Sequence, residues 1–424
     1  MRIRVYQSDK GDCLLLTSRT GAHMLVDGGM REAFKAHVRP DLAAMAQQGQ
    51  ALDLVYVSHI DQDHISGILE LLDNTMTWRV HDFRKAAGLT TKTPGVPRMP
   101  KIGGIWHNAF SMLLKDNAAA VENLLAQSSR LLALSEDRGW LDAAAEHHGL
   151  AFSVGEAVQV SRRIAAAQLA IPLNQQFDGR LIMVRTPSGA EAVVGDMSVH
   201  VIGPFAEDVE RLKGEWNDWL RANKDRLARL RVQAESDARA IGQSLSQLGL
   251  FLDIRLKELG NRDQVTPPNL ASVMLLVKEA GKRVLLTGDG HADDILAGLA
   301  AQDALDATGS IHVDVLKVQH HGSEHNIHRE FCERVDADDY VFCGNGKHEN
   351  PDLDVLELLL STNRSLRPNK SFNLWFNSSA AVAPPGAPTQ HMKGIERLVK
   401  RHVDQSGGAI HASFLQQSSF DLNL

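Results

Sequence analysis

A dense cluster of histidine and aspartate residues directly follows an apolar segment in the first part of the chain. The apolar run "LDLVYV" has the β-branched and aromatic content of a buried strand, and the chain continues with "SHIDQDHISGI". His59, Asp61, Asp63 and His64 place four ligand-type side chains within six positions. Imidazole and carboxylate groups are ligands for zinc, iron and manganese. We therefore predict a loop at a strand end that offers ligands to two neighbouring metal ions.

Two later apolar strands also end in residues that can bind metals. Asp289 closes the segment "LLTGDG", and His320 and His321 close the segment "KVQHHGS". In sheets of this kind, functional side chains gather where the strands end, so we expect both segments to meet the first cluster at one end of a sheet. Six ligands from three loops would form a dinuclear metal site.

The order of the predicted elements indicates a layered α/β sandwich with helical insertions. Short strands open the chain, "MREAFKAHVRPDLAAMAQQG" has helical spacing, and a hairpin forms around "EAGKR". An Ala/Leu-rich segment at about 108–155 and a charged amphipathic segment at about 206–260 predict two helical insertions, the second of which could be a lid or a partner surface. We assign residues 1–360 to one domain and 361–424 to a less regular, basic extension packed on it.

Composition places the chain among soluble, enzyme-like proteins. Apolar residues make up 43% of the sequence and charged residues 23%. The N-terminus lacks the apolar region of a signal peptide, and no run of about 18 apolar residues occurs. The three cysteines lack metal-binding spacing and fit a reducing compartment. We expect a cytoplasmic protein without a membrane segment.

The distribution of charge bears on which partners the chain can bind. A net charge of −7 argues against non-specific nucleic-acid binding by the whole surface. Two segments, 79–101 and 364–401, are nevertheless basic, and either could face an anion or be an ordinary solvated surface. The second segment contains Arg364, Arg367, Lys370, Lys393, Arg397, Lys400 and Arg401.

With these motifs in order, the chain resembles the metallo-β-lactamase fold hydrolases. The resemblance runs through "LVDGG", "SHIDQDHISGI", "LLTGDG" and "KVQHHGS" over residues 1–360. The last two motifs, together with Asp61 where most of the superfamily has histidine, look like the metallo-β-lactamase domain of the DNA-uptake competence protein ComEC. The resemblance implies an αββα sandwich, interrupted here by the helical insertions.

The resemblance also implies roles for the clustered residues. It assigns His59 and Asp61 to the first metal, assigns Asp63, His64 and His320 to the second, and makes Asp289 the bridging ligand. Asp27 would hydrogen-bond the ligand loop. Typical members of the family supply a third histidine to the first metal, and this sequence has no clear counterpart of it. His200, His107 or water could take that position. We expect two divalent ions, Zn or Mn, because the aspartate makes the first site harder.

Other residues near the motifs have less specific roles. His321 could be a general acid or a histidine behind the metal ligands, and Lys317, three residues before His320, could face away from the metals. Ser323 could bind a phosphate oxygen. His348, in a Gly-rich turn, is a candidate substrate contact. His107 lies in "GGIWHNAF", which could form a substrate wall or pack as a tryptophan beside a satisfied histidine.

The predicted site favours a metal-dependent phosphodiesterase, a nuclease acting on DNA. A dinuclear site acidifies a bridging water to hydroxide and stabilises the leaving oxygen, and Asp63 could orient that water or take its proton. Hydrolysis of a small ester, lactone or phosphodiester is a second hypothesis. In a third, the chain is a partner-gated subunit of a bacterial antiphage defence complex that docks through its helical insertions.

Overall fold

The computed structural model describes residues 1–108, 156–157, 159–185, 188–189, 191–210 and 272–424. The two predicted helical insertions lie almost entirely outside the described residues. The division of the chain at residue 360 also stays a prediction.

The strands of the described residues fall into a first group before the gap at 109–155 and a second group after it. The first group is β1 (Arg2–Tyr6), β2 (Leu14–Thr17), β3 (His23–Val26), β4 (Ala51–Leu52), β5 (Leu54–Tyr56), β6 (Lys101–Ile102) and β7 (Ile105–Trp106). The second group is β8 (Ala192–Val194), β9 (Met197–Gly203), β10 (Met274–Glu279), β11 (Lys282–Leu286), β12 (Ile311–Lys317), β13 (Val335–Phe342), β14 (Phe372–Phe376), β15 (Ile410–Phe414) and β16 (Ser419–Asn423).

The helices follow the same division. Those before the gap are α1 (Arg31–Ala33), which runs through a π-helical turn (Phe34–Val38) into α2 (Arg39–Gln47), and the long α3 (Gln62–Ala86). Those near the C-terminus are α4 (Ala292–Ala301), α5 (Arg329–Arg334), α6 (Leu353–Leu366) and α7 (Ala387–Gln405). Short 3₁₀ turns occupy Gln175–Phe177, Gln319–Gly322 and Lys347–Glu349. None of the described helices combines the length and apolar content needed to cross a membrane.

Two main sheets face each other. The first has the strand order β16-β1-β2-β3-β5-β7, and the second has the order β15-β14-β13-β12-β11-β10-β9-β8. Strands β11 to β15 run parallel, so their carboxyl ends reach the same edge of the second sheet. Asp289, which follows β11, and His320 and His321, which follow β12, are neighbours for this reason.

Each sheet is buried on both faces, which explains the continuous apolar runs of its strands. In β2, Leu14 and Leu16 point between the sheets, whereas Leu15 points to the helices, because successive strand residues alternate faces. Helices α1 to α3 cover the first sheet, and α4 to α7 cover the second. The resulting layers are helix, sheet, sheet and helix, as the predicted αββα sandwich requires.

The prediction that the C-terminal residues are less regular is wrong. Strands β14 and β15 extend the second sheet, β16 pairs with β1 of the first, and α7 packs on the second sheet. The Pro-rich segment "VAPPGAP" forms only the loop that leads into α7 and the first residues of that helix. The residues after 361 therefore contribute to both sheets.

Two glycines allow the turn after β3 to touch helix α3. A Cβ atom on Gly67 would collide with the carbonyl oxygen of Gly28, and one on Gly28 would collide with the backbone nitrogen of Ile68. The backbone N–H of Gly28 donates to the carbonyl oxygen of His64 at 2.8 Å. The glycines of "LVDGG" and "HISGI" thus bring Asp27 next to the start of α3.

We expect Gly67→Ala to lower the free energy of unfolding by about 1–3 kcal/mol, the usual result of overpacking. Alanine ordinarily stabilises a helix interior relative to glycine, so the sign itself tests the contact. Gly95→Ala is the matched control, because nothing lies within 4 Å of its added Cβ. Urea unfolding of both variants measures the effect; a Gly67→Ala protein as stable as the control would contradict the close packing.

Candidate metal centre

Four buried side chains from different parts of the chain converge at the junction of the two sheets. Among the described residues, ligand atoms of Asp12, His64, Asp289 and His321 all lie within 4.8 Å of one another. Asp12 and His64 come from the first half of the chain, and the other two come from the ends of β11 and β12. This group has the composition of a site for a divalent cation.

Asp27 fixes the orientation of His64. Its Oδ2 atom lies 3.0 Å from His64 Nδ1, and its two oxygens accept hydrogen bonds from the backbone nitrogen and hydroxyl of Ser58 at 2.8 and 2.7 Å. The other ring nitrogen of His64, Nε2, therefore faces the centre, 3.4 Å from Asp289 Oδ1. Asp27 thus makes the hydrogen bonds to the ligand loop that the resemblance implies, while the binding of a metal by His64 stays a prediction.

Asn326 connects the ends of β11 and β12, and sequence reasoning missed it. Its Oδ1 atom lies 2.5 Å from His320 Nδ1, and its Nδ2 atom donates to the backbone oxygen of Asp289 at 2.9 Å. His321 points the other way, with Nδ1 3.2 Å from Asp12 Oδ1 and Nε2 3.4 Å from Asp63 Oδ2. Of the histidine pair, His321 lies in the four-residue group, whereas the resemblance implies that His320 binds the metal.

Asp12 is the main residue that sequence reasoning missed. It lies in the turn between β1 and β2, is 1% exposed, and forms an ion pair with Lys317. The Lys317 ammonium also donates to the Gly288 carbonyl oxygen at 3.1 Å and lies 3.9 Å from Asp289 Oδ1. The alternative in which Lys317 faces away from the metals is therefore wrong.

His59, predicted for the first metal, and His320, predicted for the second, both face the opposite oxygen of Asp289. His59 Nε2 lies 3.5 Å from Asp289 Oδ2 and 3.7 Å from Asp61 Oδ2. His320 Nε2 lies 3.7 Å from the same Asp289 oxygen. The two carboxylate oxygens of Asp289 thus face different histidines, an arrangement compatible with the bridging role that remains a prediction.

His107 lies beside this second group. Strand β7 pairs with β5 in parallel, so His107 follows its strand at the same sheet end as His59. The ring is fully buried, and neither ring nitrogen has a hydrogen-bond partner in the described part of the chain. Burial, with a smaller effect of His59, lowers the pKa of His107 to about 4. His200 instead lies in β9. Burial, and to a smaller extent the charge of Lys278, lower the pKa of its imidazole.

The neighbours of His107 are packed as the second alternative predicted. Trp106 is fully buried and donates to Gln176 at 2.7 Å, and Asn108 donates to the Ile182 carbonyl oxygen at 2.9 Å. The side-chain amide of Asn174 accepts a hydrogen bond from the backbone nitrogen of His107 and donates one to its carbonyl oxygen, each at 2.9 Å. The tryptophan is a packing residue, but the histidine ring is not satisfied as that alternative expected.

Two other predicted residues lie in loops at the site. The hydroxyl of Ser323 accepts a hydrogen bond from the His325 backbone nitrogen at 3.4 Å, within its own loop. His348 lies in the 3₁₀ turn Lys347–Glu349, close enough to Asp63 for that carboxylate to influence its pKa. His348 is therefore near the cluster, whereas the Ser323 hydroxyl is engaged by its own loop.

The buried carboxylates and histidines of the centre shift one another's pKa. Burial alone would raise the pKa of Asp12, but Lys317 and His64 lower it to about 2. Burial alone would lower the pKa of His321, but carboxylates led by Asp289 and Asp12 raise it to about 9. The carboxylates therefore favour positive charge at this centre, which a divalent cation can supply.

Orphaned polar atoms test whether a cation fits. Buried polar atoms without a hydrogen-bond partner are costly and are usually explained by water or an ion. In the described residues, five such atoms face this centre: Asp12 Oδ1, His59 Nε2, His64 Nε2, Asp289 Oδ1 and His321 Nδ1. These are unused ligand atoms of the types that bind zinc and manganese, so the residues present fit a divalent ion.

Backbone strain is concentrated at the same place. Several non-glycine residues of the site have a left-handed φ, which costs about 1–3 kcal/mol each and is typical of functional sites. They are Asp9 (65°), Asp27 (51°), His320 (44°), His321 (56°), His348 (55°) and Glu349 (61°).

Comparison with known proteins agrees with the motifs. Residues 8–82 match the family model described as the metallo-beta-lactamase superfamily. This segment contains Asp12, Asp27 and the whole cluster from His59 to His64. No curated protein sequence matches the chain. With the αββα layers, the match confirms the predicted metallo-β-lactamase fold, and it supports a metal-dependent hydrolase.

Two solved structures are similar to the chain at low sequence identity. One is Zn(2+)-bound PqqB from Methylobacterium extorquens, with 9% identity, a TM-score of 0.37, and 100% of each chain covered. The other is unliganded yeast PDE1, with 11% identity, a TM-score of 0.36, and 100% of this chain and 99% of that chain covered. Both TM-scores are low, so neither likeness bears on what this chain binds.

We expect His321→Ala to weaken binding of a divalent ion by at least about tenfold, since even residues behind the ligands affect affinity this much. His320→Ala should have the smaller effect, because His320 is outside the four-residue group. His312→Ala, at the opposite end of β12, is the control. Metal content after dialysis against Zn or Mn measures all three; greater loss in His320→Ala would instead support the ligand set implied by the resemblance.

Proposed function

We propose that the chain is a metal-dependent phosphodiesterase, a nuclease that acts on DNA, with a dinuclear Zn or Mn site. The observation that carries the proposal is the convergence of Asp12, His64, Asp289 and His321 with unused ligand atoms. The motifs "LLTGDG" and "KVQHHGS" and the aspartate at position 61 support a ComEC-like member of the fold.

The ligand set is rich in carboxylates, which favours hard ions and phosphate chemistry. A bound divalent ion lowers the pKa of water and stabilises phosphoryl oxygens. The protein's own contribution is orientation: Asp27 holds His64, and Asn326 holds His320. Asp63 lies 3.4 Å from His321 Nε2 and, in this proposal, would orient an attacking water or accept its proton.

An exposed basic face on α7 supports a polyanionic substrate. Lys393, Arg397 and Arg401 follow each other at four-residue spacing with Lys400 alongside, and all four are exposed. The N-terminal end of α7 packs on the Lys347–Glu349 turn at the site. The helix that carries the basic face is therefore in contact with the turn that holds His348.

Ion pairs reduce the charge of this face and keep the small-substrate alternative open. Lys400 pairs with Asp404 at 3.0 Å, and Arg401 pairs with Glu357 at 2.7 Å. With the net charge of −7, these pairs favour hydrolysis of a small ester, lactone or phosphodiester over tight polymer binding. The partner-gated subunit also remains a proposal, since its docking insertions lie outside the described residues.

Metal-dependent cleavage is the direct test of the proposed activity. We expect the metal-stripped protein to cleave single- or double-stranded DNA and bis-p-nitrophenyl phosphate after Mn or Zn is added, and Asp63→Ala to lose at least about 100-fold of this rate. Asp82→Ala, near the other end of α3, is the matched control. Cleavage of the small diester alone would move the proposal to a small-molecule phosphodiesterase, and no cleavage of either substrate would favour an ester, a lactone or a partner-gated subunit.

Charge reversal on α7 tests the basic face. We expect Arg397→Glu to weaken DNA binding and to lower the slope of log affinity against log salt by about one for each phosphate that the variant no longer neutralises. Cleavage of bis-p-nitrophenyl phosphate should persist, because that substrate does not reach α7. Lys35→Glu, in the helical layer of the other sheet, is the control. Equal loss of DNA and diester cleavage would refute a role for this face in substrate binding.

A further inference from the structure

We infer that Lys10, Lys347 and His348 form an anion-binding rim over the metal centre, which binds the phosphate group of the substrate. This inference rests on the proposed phosphodiesterase function and adds to it a subsite made of two lysine ammonium groups and one imidazole.

The loop between β1 and β2 contributes the first cation. A Cβ atom on Gly11 would collide with the backbone carbonyl group of Asp63, so this loop lies directly on the start of α3. The contact sends Asp12 inward to the metal centre and leaves Lys10 at the surface. The Lys10 ammonium lies 3.9 Å from Asp63 Oδ2, with its side chain 25% exposed.

The turn before α6 contributes the other two groups. Asp9 binds both Asn345 Nδ2, at 2.6 Å, and the Lys347 ammonium, at 3.0 Å. These contacts tie the Lys10 loop to the turn that carries His348. The two loops therefore hold the rim in place before any substrate arrives, which reduces the entropy lost on binding.

The three groups lie within electrostatic reach of one another and of the centre. Burial and then Lys10 lower the pKa of His348, Asp63 raises it, and Lys347 lowers it again. Asp9 pairs with Lys347 at 3.0 Å, whereas Lys10 faces Asp63 at the longer distance of 3.9 Å. If Asp63 bound a metal, as the resemblance implies, the Lys10 ammonium would be free to donate to an incoming anion.

A phosphate group gains from this arrangement and a neutral ester does not. Hydrogen bonds between an ammonium and a phosphate oxygen are about twice as strong as neutral ones. Fixed cations beside a reacting phosphoryl group also stabilise charge that develops there. The rim accordingly favours substrates that are anionic at the reacting centre.

Binding of inorganic phosphate to the metal-loaded protein tests the rim directly. We expect the double variant Lys10→Met/Lys347→Met to raise the Kd for phosphate at least about tenfold, as measured by isothermal titration calorimetry with metal content verified. Lys10→Arg should retain most of the affinity. Lys282→Met, paired with Asp314 at the far end of β11, is the control. Unchanged phosphate affinity in the metal-loaded double variant would overturn the inference.

Kinetics with bis-p-nitrophenyl phosphate separate this inference from the proposed function. If the rim binds the phosphate group, KM should rise by a larger factor than kcat falls in each lysine variant. If the wild-type protein cleaves no phosphodiester, the proposed function fails, but the phosphate titration still decides on the rim. Lys10→Gln and Lys347→Gln, which remove the charge but keep a hydrogen-bonding group, replace the methionine variants if those do not fold.

Discussion

Buried negative charge at the junction of the two sheets is the constraint on which the rest of the structure depends. Asp12, Asp27 and Asp289 are each at most 2% exposed. An ionised carboxylate without partners is very costly in a protein interior, so each must be matched by a cation or by hydrogen bonds. Lys317, the histidines and Ser58 supply those partners. The glycine contacts along α3 bring these groups close enough to compensate one another.

Local sequence carried enough information for the strands and most of the cluster. Asp289 closely follows β11, and His64 lies in the first turn of α3, at the end of the cluster that follows β5, so both could be proposed from their segments. Asp12 could not, because it is one acidic residue in an ordinary turn. Its position depends on the contact of Gly11 with Asp63, and no spacing along the chain encodes that contact. Asn326 escaped for the same reason, since its two partners lie on other segments.

Strand alternation failed where the backbone changes conformation. Counting back from His320 suggested that Lys317 could face away from the metals, but β12 ends at Lys317. His320 and His321 then adopt left-handed φ values, which breaks the alternation of side chains. The C-terminal residues misled in another way: proline and polar residues dominate one loop, while the strands and α7 around it are regular. The composition of the whole C-terminal segment did not indicate β14, β15 and β16, because these strands are defined by pairing with strands elsewhere in the chain.

The metal centre draws its groups from both sheets, with Asp12 and His64 on one side and Asp289 and His321 on the other. An ion held by all four spans the seam between the two halves of the sandwich. Such an ion would stabilise the contact between the two halves, because a ligand that binds only the folded state shifts the equilibrium towards that state. At a free ion concentration about 100 times the Kd, this adds about 2.7 kcal/mol to the free energy of unfolding. The availability of the metal would thus affect the stability of the folded protein as well as its proposed activity.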